Sequence, residues 1–205
     1  MTSEGTEHGG PPVTFTDPPT SAAWRHQDAR EGFEAAFFHS EPDGHRVEGH
    51  TTAIEDSVVW SVRYTIALDR AWGTRRAHVV GLDAAGTRQL DLLNDGAGHW
   101  RVNGQPAPHL DGCIDVDLES SALTNALPVH RLALEVGDAA DAPAAYVRAP
   151  DLGVERLDQH YLRTPDEAGR QCFAYEAPRF SFNCRLVYDE AGLVLHYPGL
   201  ATRVA

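Results

Sequence analysis

The sequence predicts a mainly β fold, a long antiparallel curved sheet wrapped around a single short helix. Alternation of side-chain character is clearest in VVWSVRYTIAL (residues 58–68), where every second residue contributes to one apolar face. Turn-forming Gly, Pro, Asn and Asp residues recur at close spacing, which is typical of a meander or barrel-like sheet and not of alternating strand and helix units. Only SSALTNAL (residues 120–127) has the character of a helix.

Several hairpins can be predicted from their turns. GFEAAFF (residues 32–38) and HRVEGHTTAI (residues 45–54) flank the turn residues Pro-Asp-Gly. Asn103 and Gly104 form the two-residue signal of a tight hairpin. The sequence DEAG (residues 189–192) predicts the turn of the last hairpin.

The helix prediction carries its own expected boundaries. Ser120 or Ser121 is expected to cap the helix at its start, and Pro128 is expected to bias the preceding residue away from helical geometry and close the segment. VHRLALEV (residues 129–136) alternates and is predicted to be the next strand.

Length and charge limit the class of protein. The 205 residues fit one domain, residues 21–205, preceded by an N-terminal segment, residues 1–20, whose Gly, Pro, Thr and Glu content predicts disorder. The formal charge of −13 argues against a nucleic-acid partner, which requires a basic surface. No secretory signal and no membrane-spanning run is found, so a cytoplasmic location is expected.

No motif points to a metal, a cofactor or a known catalytic site. The eleven histidines are scattered without HExxH spacing, and the three cysteines have no CxxC spacing. The P-loop, G-x-G-x-x-G and G-x-S-x-G patterns are missing. The sequence therefore predicts neither metal nor cofactor, and it assigns no catalytic residue.

The stretch LDGCIDVDLESSALTNALPVHRL (residues 110–132) is the strongest candidate for a polar site. Its acids alternate on one strand face, and hydroxyl, amide and guanidinium groups follow closely. One interpretation is a polar pocket, and the other is a structural corner joining sheet and helix. The candidate ligand-binding residues are Asp115, Asp117, Thr124, Asn125 and Arg131 from this stretch, with Arg63, Glu34 and Trp100 from other strands. Aromatic residues on the predicted strands, among them Tyr146, Tyr175 and Tyr197, are expected either to pack the core or to line a concave surface.

Several motifs give the chain a resemblance to a known family. They are RYTIALDRAWGTR (residues 63–75), GHW (98–100), the stretch at 110–132, APDLGVERLDQHYLR (149–163) and the closing VYDEAGLVLHYPGLATRV (187–204). In these motifs the chain resembles the glycolipid-binding family of bacterial proteins, formerly a domain of unknown function, from Trp24 to Val204. The resemblance implies a spiral β-roll around one helix and allows a homodimer, and it carries over no catalytic residue.

The function predicted from these observations is binding of a glycolipid or a similar amphiphilic small molecule. Two alternatives stay open at this stage. One is a carboxylate-dependent hydrolase or isomerase with Asp115 or Glu34 as the base, which requires an acid of raised pKa in a concave pocket. The other is a dimerisation or protein-interaction module without a small ligand.

Overall fold

The computed structural model describes residues 15–28 and 30–205. Its strands are β1 (Ser21–His26), β2 (Glu31–Glu41), β3 (Gly44–Glu55), β4 (Val58–Asp69), β5 (Thr74–Asp83), β6 (Gly86–Asn94), β7 (Trp100–Val102), β8 (Gln105–Pro106), β9 (Asp115–Leu118), β10 (Ala139–Asp141), β11 (Ala144–Val147), β12 (Val154–Leu157), β13 (His160–Glu167), β14 (Arg170–Ala177), β15 (Phe182–Tyr188), β16 (Val194–Tyr197) and β17 (Ala201–Arg203). Within the described residues there is one α-helix, α1 (Ala126–Leu132).

Fourteen strands form one open antiparallel sheet, which confirms the predicted fold class. The strand order is β10, β13, β14, β15, β16, β17, β1, β2, β3, β4, β5, β6, β7, β8. Most neighbours are joined by short turns, and the hairpins predicted at residues 32–54 and around Asn103-Gly104 are confirmed. There are two exceptions: β1 pairs with β17, and β10 pairs with β13 although β11 and β12 lie between them in the sequence.

The long alternating segment forms β4, which pairs with β3 from Gly44 opposite Asp69 to Glu55 opposite Val58. Its inward residues are buried, as a half-buried strand requires: Trp60, Val62, Tyr64, Ile66 and Leu68. The same face of the sheet continues through buried aromatic residues of other strands, including Trp24, Tyr161 and Tyr188. Together with α1, these side chains form the core.

A second, three-stranded sheet has the order β12, β11, β9. Here β9 and β11 are parallel, with Asp115 opposite Ala144 and Leu118 opposite Val147. This parallel pair lies outside the long antiparallel sheet that the sequence predicts. The chain between the two strands contains α1, and such a crossover is what parallel pairing needs.

The helix lies later than predicted. A 3₁₀ turn at Leu123–Asn125 leads into α1, and Pro128 lies inside the first turn of α1 instead of ending it. A proline is tolerated there because the first N–H groups of a helix have no partner within it. The helix ends at Ala133, which has a φ of +46°. The strand predicted at residues 129–136 is therefore wrong, because its first four residues complete α1.

The predicted serine cap is also absent. No side chain of the segment caps its own helical turns. The Ser121 hydroxyl instead donates a hydrogen bond to Glu34 of β2, and the same carboxylate accepts the Ala122 N–H at 2.7 Å. The Glu34 carboxylate from the sheet, and not a local serine, thus accepts a hydrogen bond from an N–H group at the start of the helical segment.

The predicted disordered segment is only partly described. Residues 1–14 lie outside the described residues. In the described remainder, the Thr16 N–H and hydroxyl both donate to the Glu190 carbonyl, at 2.8 and 3.1 Å. The Phe15 ring lies 4.6 Å from the His130 ring of α1. Residues 15 and 16 therefore contact the domain.

Candidate functional site

A pocket lies between the inner face of the large sheet and the segment that joins β9 to α1. Its volume is about 310 Å³, within the range of small-molecule sites. Aromatic and polar side chains both line it. The aromatic residues are Tyr146, Tyr175, Phe180, Phe182 and Tyr197, and the polar residues are His26, Arg30, Glu55, Asp117, Glu119, Ser121 and Asn125.

Three of the aromatic residues, Tyr175, Phe182 and Tyr197, form the aromatic cluster of the pocket. Their ring centroids are 6.0 to 6.3 Å apart in edge-to-face arrangements. They come from β14, β15 and β16, which are consecutive strands of the sheet. Tyrosines offer an apolar ring together with a hydroxyl, so this cluster can contact both the apolar and the polar part of a ligand.

Asp117, on β9, is a half-buried carboxylate of the pocket. The Thr124 hydroxyl donates to its Oδ1 at 2.8 Å, and the Gln159 side-chain amide donates to its Oδ2 at 2.7 Å. Burial raises the pKa of Asp117 to about 6, against the opposing effect of these two hydrogen bonds. The neighbouring Glu119 and Asp115 carboxylates add to the increase.

The Gln159 amide connects Asp117 to the aromatic cluster. Its Nε2 lies 2.9 Å from the Tyr175 hydroxyl as well as 2.7 Å from the carboxylate. The Asp117 charge also contributes to the raised pKa of Tyr146, Tyr175 and Tyr197. The carboxylate and the tyrosine hydroxyls thus act on one another inside the same pocket.

His26 and Arg30 contribute two buried nitrogens without a hydrogen-bond partner among the described residues. These atoms are His26 Nε2 and Arg30 Nε. Burial and, to a smaller extent, the positive charge of Arg30 together lower the pKa of His26 to about 4, so the imidazole is neutral at pH 7. The Arg30 guanidinium lies over the Trp60 ring at 5.3 Å, donates to the Glu119 carbonyl at 3.2 Å and has Glu55 at 3.8 Å.

Asn125 places the amide of the 3₁₀ turn against the pocket and holds the turn to the sheet. Its Oδ1 accepts a hydrogen bond from the Tyr161 hydroxyl at 3.0 Å, and its carbonyl accepts one from the Tyr188 hydroxyl at 3.2 Å. Two buried tyrosines from β13 and β15 therefore fix the residue that precedes α1.

Asp115 and Arg131, both candidate ligand-binding residues, bind each other. Arg131 Nη2 lies 2.6 Å from Asp115 Oδ2, and Nε donates to both carboxylate oxygens at 3.1 Å. Burial raises the pKa of Asp115, while Arg131 opposes this effect. The pair fastens α1 to β9, and neither residue lines the pocket.

Glu34 lies behind the pocket with a full set of partners. It is completely buried, and its Oε1 accepts hydrogen bonds from the Tyr64 hydroxyl at 2.6 Å and from Ser121. Its Oε2 accepts the Ala122 N–H. Burial raises the pKa of Glu34, and these donors oppose the increase. Its contacts join β2 and β4 to the segment before α1.

The other three candidate residues also lie away from the pocket lining. The Trp100 indole N–H donates to the Cys113 carbonyl at 2.8 Å, which fixes the loop before β9. Thr124 does not line the pocket, and its hydroxyl donates to Asp117, which does. Arg63 is exposed on the outer face of β4.

Of the eight candidate residues, only Asp117 and Asn125 line the pocket. The sequence reasoning missed His26 and Arg30, because nothing local distinguishes them from surface residues at the end of β1. The aromatic pattern was the useful signal, since Tyr146, Tyr175 and Tyr197 were among the residues expected to pack the core or line a concave surface. Their distribution over three strands gave no means of choosing between these roles.

The fold and the pocket define a class of protein: an open, curved antiparallel sheet around a short helix, with an internal site lined by aromatic and polar groups. A family model described as "Putative glycolipid-binding" matches residues 21–203, and the chain belongs to this family. The resemblance seen in the sequence is thereby confirmed.

Two solved structures are similar to the chain. A DUF1089 family protein from Pseudomonas aeruginosa is 30% identical and superposes with a TM-score of 0.73, covering 98% of this chain and 100% of its own. A β-barrel-like protein of the DUF1849 domain from Brucella abortus is 11% identical, with a TM-score of 0.53 over 93% of this chain and 96% of its own, which shows a shared fold alone. No curated protein matches the chain.

Among the described residues, α1 has seven residues, and no helix there is long and apolar enough to cross a membrane.

Proposed function

We propose that this protein binds an amphiphilic small molecule, a glycolipid or a chemically similar lipid, in the pocket beside α1. The observation that supports this function best is the composition of the pocket lining. Aromatic rings and apolar side chains such as Leu118 and Leu157 lie beside buried hydrogen-bonding groups within about 310 Å³. An amphiphile needs both kinds of surface from one site.

The polar groups suit a hydroxyl-rich head group. Asp117 presents a carboxylate, and the neutral His26 ring has a nitrogen without a hydrogen-bond partner in the described part of the chain. Leaving a buried acceptor such as His26 Nε2 unpaired is unfavourable by about 1–3 kcal/mol, so a ligand that donates a hydrogen bond to it gains binding energy. The description of the family as glycolipid-binding agrees with this chemistry.

Native mass spectrometry after incubation with a bacterial lipid extract tests the proposal. The wild-type protein should carry one amphiphile per chain. Ala201 lines the pocket, so Ala201→Phe should fill part of it and reduce the loaded fraction about tenfold. Thr202→Phe is the matched control, because the next residue of β17 points to the opposite face of the sheet and its loading should stay unchanged.

A wild-type mass without ligand after this incubation would contradict the proposal. Equal loading of Ala201→Phe and the wild type would place the bound molecule outside the pocket. Circular dichroism of both variants should match the wild type, which separates blocked binding from misfolding.

A further inference from the structure

The pocket contains more negative than positive charge. Three carboxylate side chains line it, from Glu55, Asp117 and Glu119, against one guanidinium, from Arg30. The charge of Arg30 is compensated by Glu55, which lies 3.8 Å from its Nε, and by the nearby Glu119, while Nε itself has no hydrogen-bond partner among the described residues. An anionic ligand group would therefore be repelled by the three carboxylates, and the charge of Arg30 that could attract it is already compensated.

Asp117 is the carboxylate of the pocket without a cation. Among the described residues its oxygens receive only neutral donors, the Thr124 hydroxyl and the Gln159 amide. Asp115, two residues earlier on the same strand, is bound on both oxygens by Arg131. Among the described residues, Asp115, behind the pocket, thus has a cationic partner, and Asp117, which lines the pocket, has none.

His26 adds an independent hydrogen-bond acceptor to the pocket. Its relative exposure is only 8%, and it lines the pocket. One ring nitrogen is hydrogen-bonded to the Leu200 backbone, while Nε2 has no partner among the described residues. In the neutral ring, the nitrogen that does not donate is an acceptor. Nε2 can therefore accept a hydrogen bond from a donor group of the ligand.

The aromatic cluster completes the surroundings of a cation. The Tyr175 hydroxyl shares the Gln159 amide with Asp117, which places the cluster beside the carboxylate. Phe182 and Tyr197 lie within 6.3 Å of Tyr175, centroid to centroid. Faces of tyrosine and phenylalanine attract ammonium groups, and more strongly when water is excluded.

We propose that the head group of the bound amphiphile carries a positively charged amine, held between the Asp117 carboxylate and the aromatic cluster. This inference rests on the proposed function and specifies its ligand class. An amine would supply the missing partner charge of Asp117 and present several N–H donors to the acceptors around it.

Two matched probes test the inference by titration calorimetry below their micelle concentrations: octyl β-D-glucoside and octyl 6-amino-6-deoxy-β-D-glucoside. At about pH 7.5 the amine should bind at least about tenfold more tightly than the neutral glucoside. In Asp117→Asn this preference should fall below about threefold. Asp158→Asn, the same charge change at an exposed site outside the pocket, should keep the full preference.

A measurement on the unmodified protein guards against an effect of the substitution on folding. Asp117 has a pKa of about 6, so lowering the pH to about 5 protonates most of it while the amine stays charged. The preference for the amine should then shrink several-fold in the wild type. Both probes should bind more weakly to Ala201→Phe than to the wild type, which would place their binding in the pocket.

Equal affinity for the two probes would overturn the cationic head group and leave the amphiphile pocket standing. A preference that persists in Asp117→Asn would overturn the role of Asp117. Binding of neither probe would also overturn the inference, and loading with the lipid extract then decides separately on the proposed function.

Discussion

Asp115 and Asp117 lie two residues apart on β9, and their surroundings give them different properties. Asp115 is neutralised by Arg131 and serves to attach α1. Asp117 has only uncharged donors, so burial leaves its pKa at about 6. A half-buried carboxylate held without a counter-charge weakens the fold when it ionises, which is a common property of functional residues.

Asp117→Asn should therefore stabilise the protein at neutral pH. The pKa of Asp117 rises from an ordinary 3.8 to about 6 on folding, so between those values the folded state binds more protons than the unfolded state. The free energy of unfolding consequently falls as the pH rises through this range. Removing the charge should add about 1–3 kcal/mol at pH 8 and almost nothing at pH 4.

Urea unfolding of the wild type and Asp117→Asn at these two pH values measures the difference. The Gln159 amide can reverse to accept from the new asparagine, so the hydrogen bonds can be kept. A loss of stability at pH 8 would assign Asp117 a structural role. A gain combined with weaker ligand binding is the result expected of a binding residue.

At the scale of elements, α1 is held by contacts that come from distant strands. Glu34 of β2 receives the N–H of the turn before it, Tyr161 and Tyr188 fix Asn125, and Arg131 pairs with Asp115 of β9. A helix of seven residues is too short to be stable alone in water. Its position therefore depends on the sheet that surrounds it.

Arg131→Met should release one of these contacts. It leaves the Asp115 carboxylate, which is 2% exposed, without a cation, and removing one partner of a buried pair is unfavourable by about 3 kcal/mol. Asp115→Asn combined with Arg131→Met removes the uncompensated charge and should recover at least about half of the loss. Thermal unfolding of the two variants decides: a double variant less stable than the single one would contradict a charge-based role.

The strands could be predicted better than the site. β2, β3 and β4 follow from alternation and turn residues that are local in the sequence. The helix was placed too early because Pro128 was taken as its end, whereas a first-turn proline is compatible with α1. The parallel pairing of β9 with β11 depends on a crossover that no local pattern announces.

The site was harder to predict because its chemistry depends on pairs formed across the sheet. Residue types alone do not show that Arg131 neutralises Asp115 and leaves Asp117 free of a cation. Ser121 was expected to cap a helix, and its actual partner is 87 residues away in the sequence. His26 and Arg30 belong to the pocket only because β1 pairs with both β2 and β17.

On the scale of the whole molecule, the open sheet has two short edges. β8 has two residues and ends in Pro106, and β10 has three residues. Short edges and proline discourage pairing with another chain. An assembly through the faces of the sheet is favoured over one that extends it.

The homodimer stays a prediction, and the outer face of β3 to β5 offers a surface that can test it. Ile54, Val59 and Leu82 are 49%, 66% and 49% exposed and line one open groove. Contiguous exposed apolar residues are characteristic of protein contacts. We expect Val59→Asp to convert a dimer to a monomer in sedimentation velocity, with Val136→Asp, at a 56% exposed valine outside the groove, as the control. A wild-type monomer at all concentrations would contradict the dimer.

The pairing of β1 with β17 also determines when the pocket can exist during translation. Trp24 faces Arg203 in this pair, so a nascent chain that has already released β1 to β8 keeps one edge of β1 unpaired until the last strand is made. The pocket takes His26 from β1 and Ala201 from β17. Contacts this distant in the sequence form slowly. The pocket can therefore be complete only after β17 has been synthesised, and a nascent chain without β17 exposes the interior that this strand helps to cover.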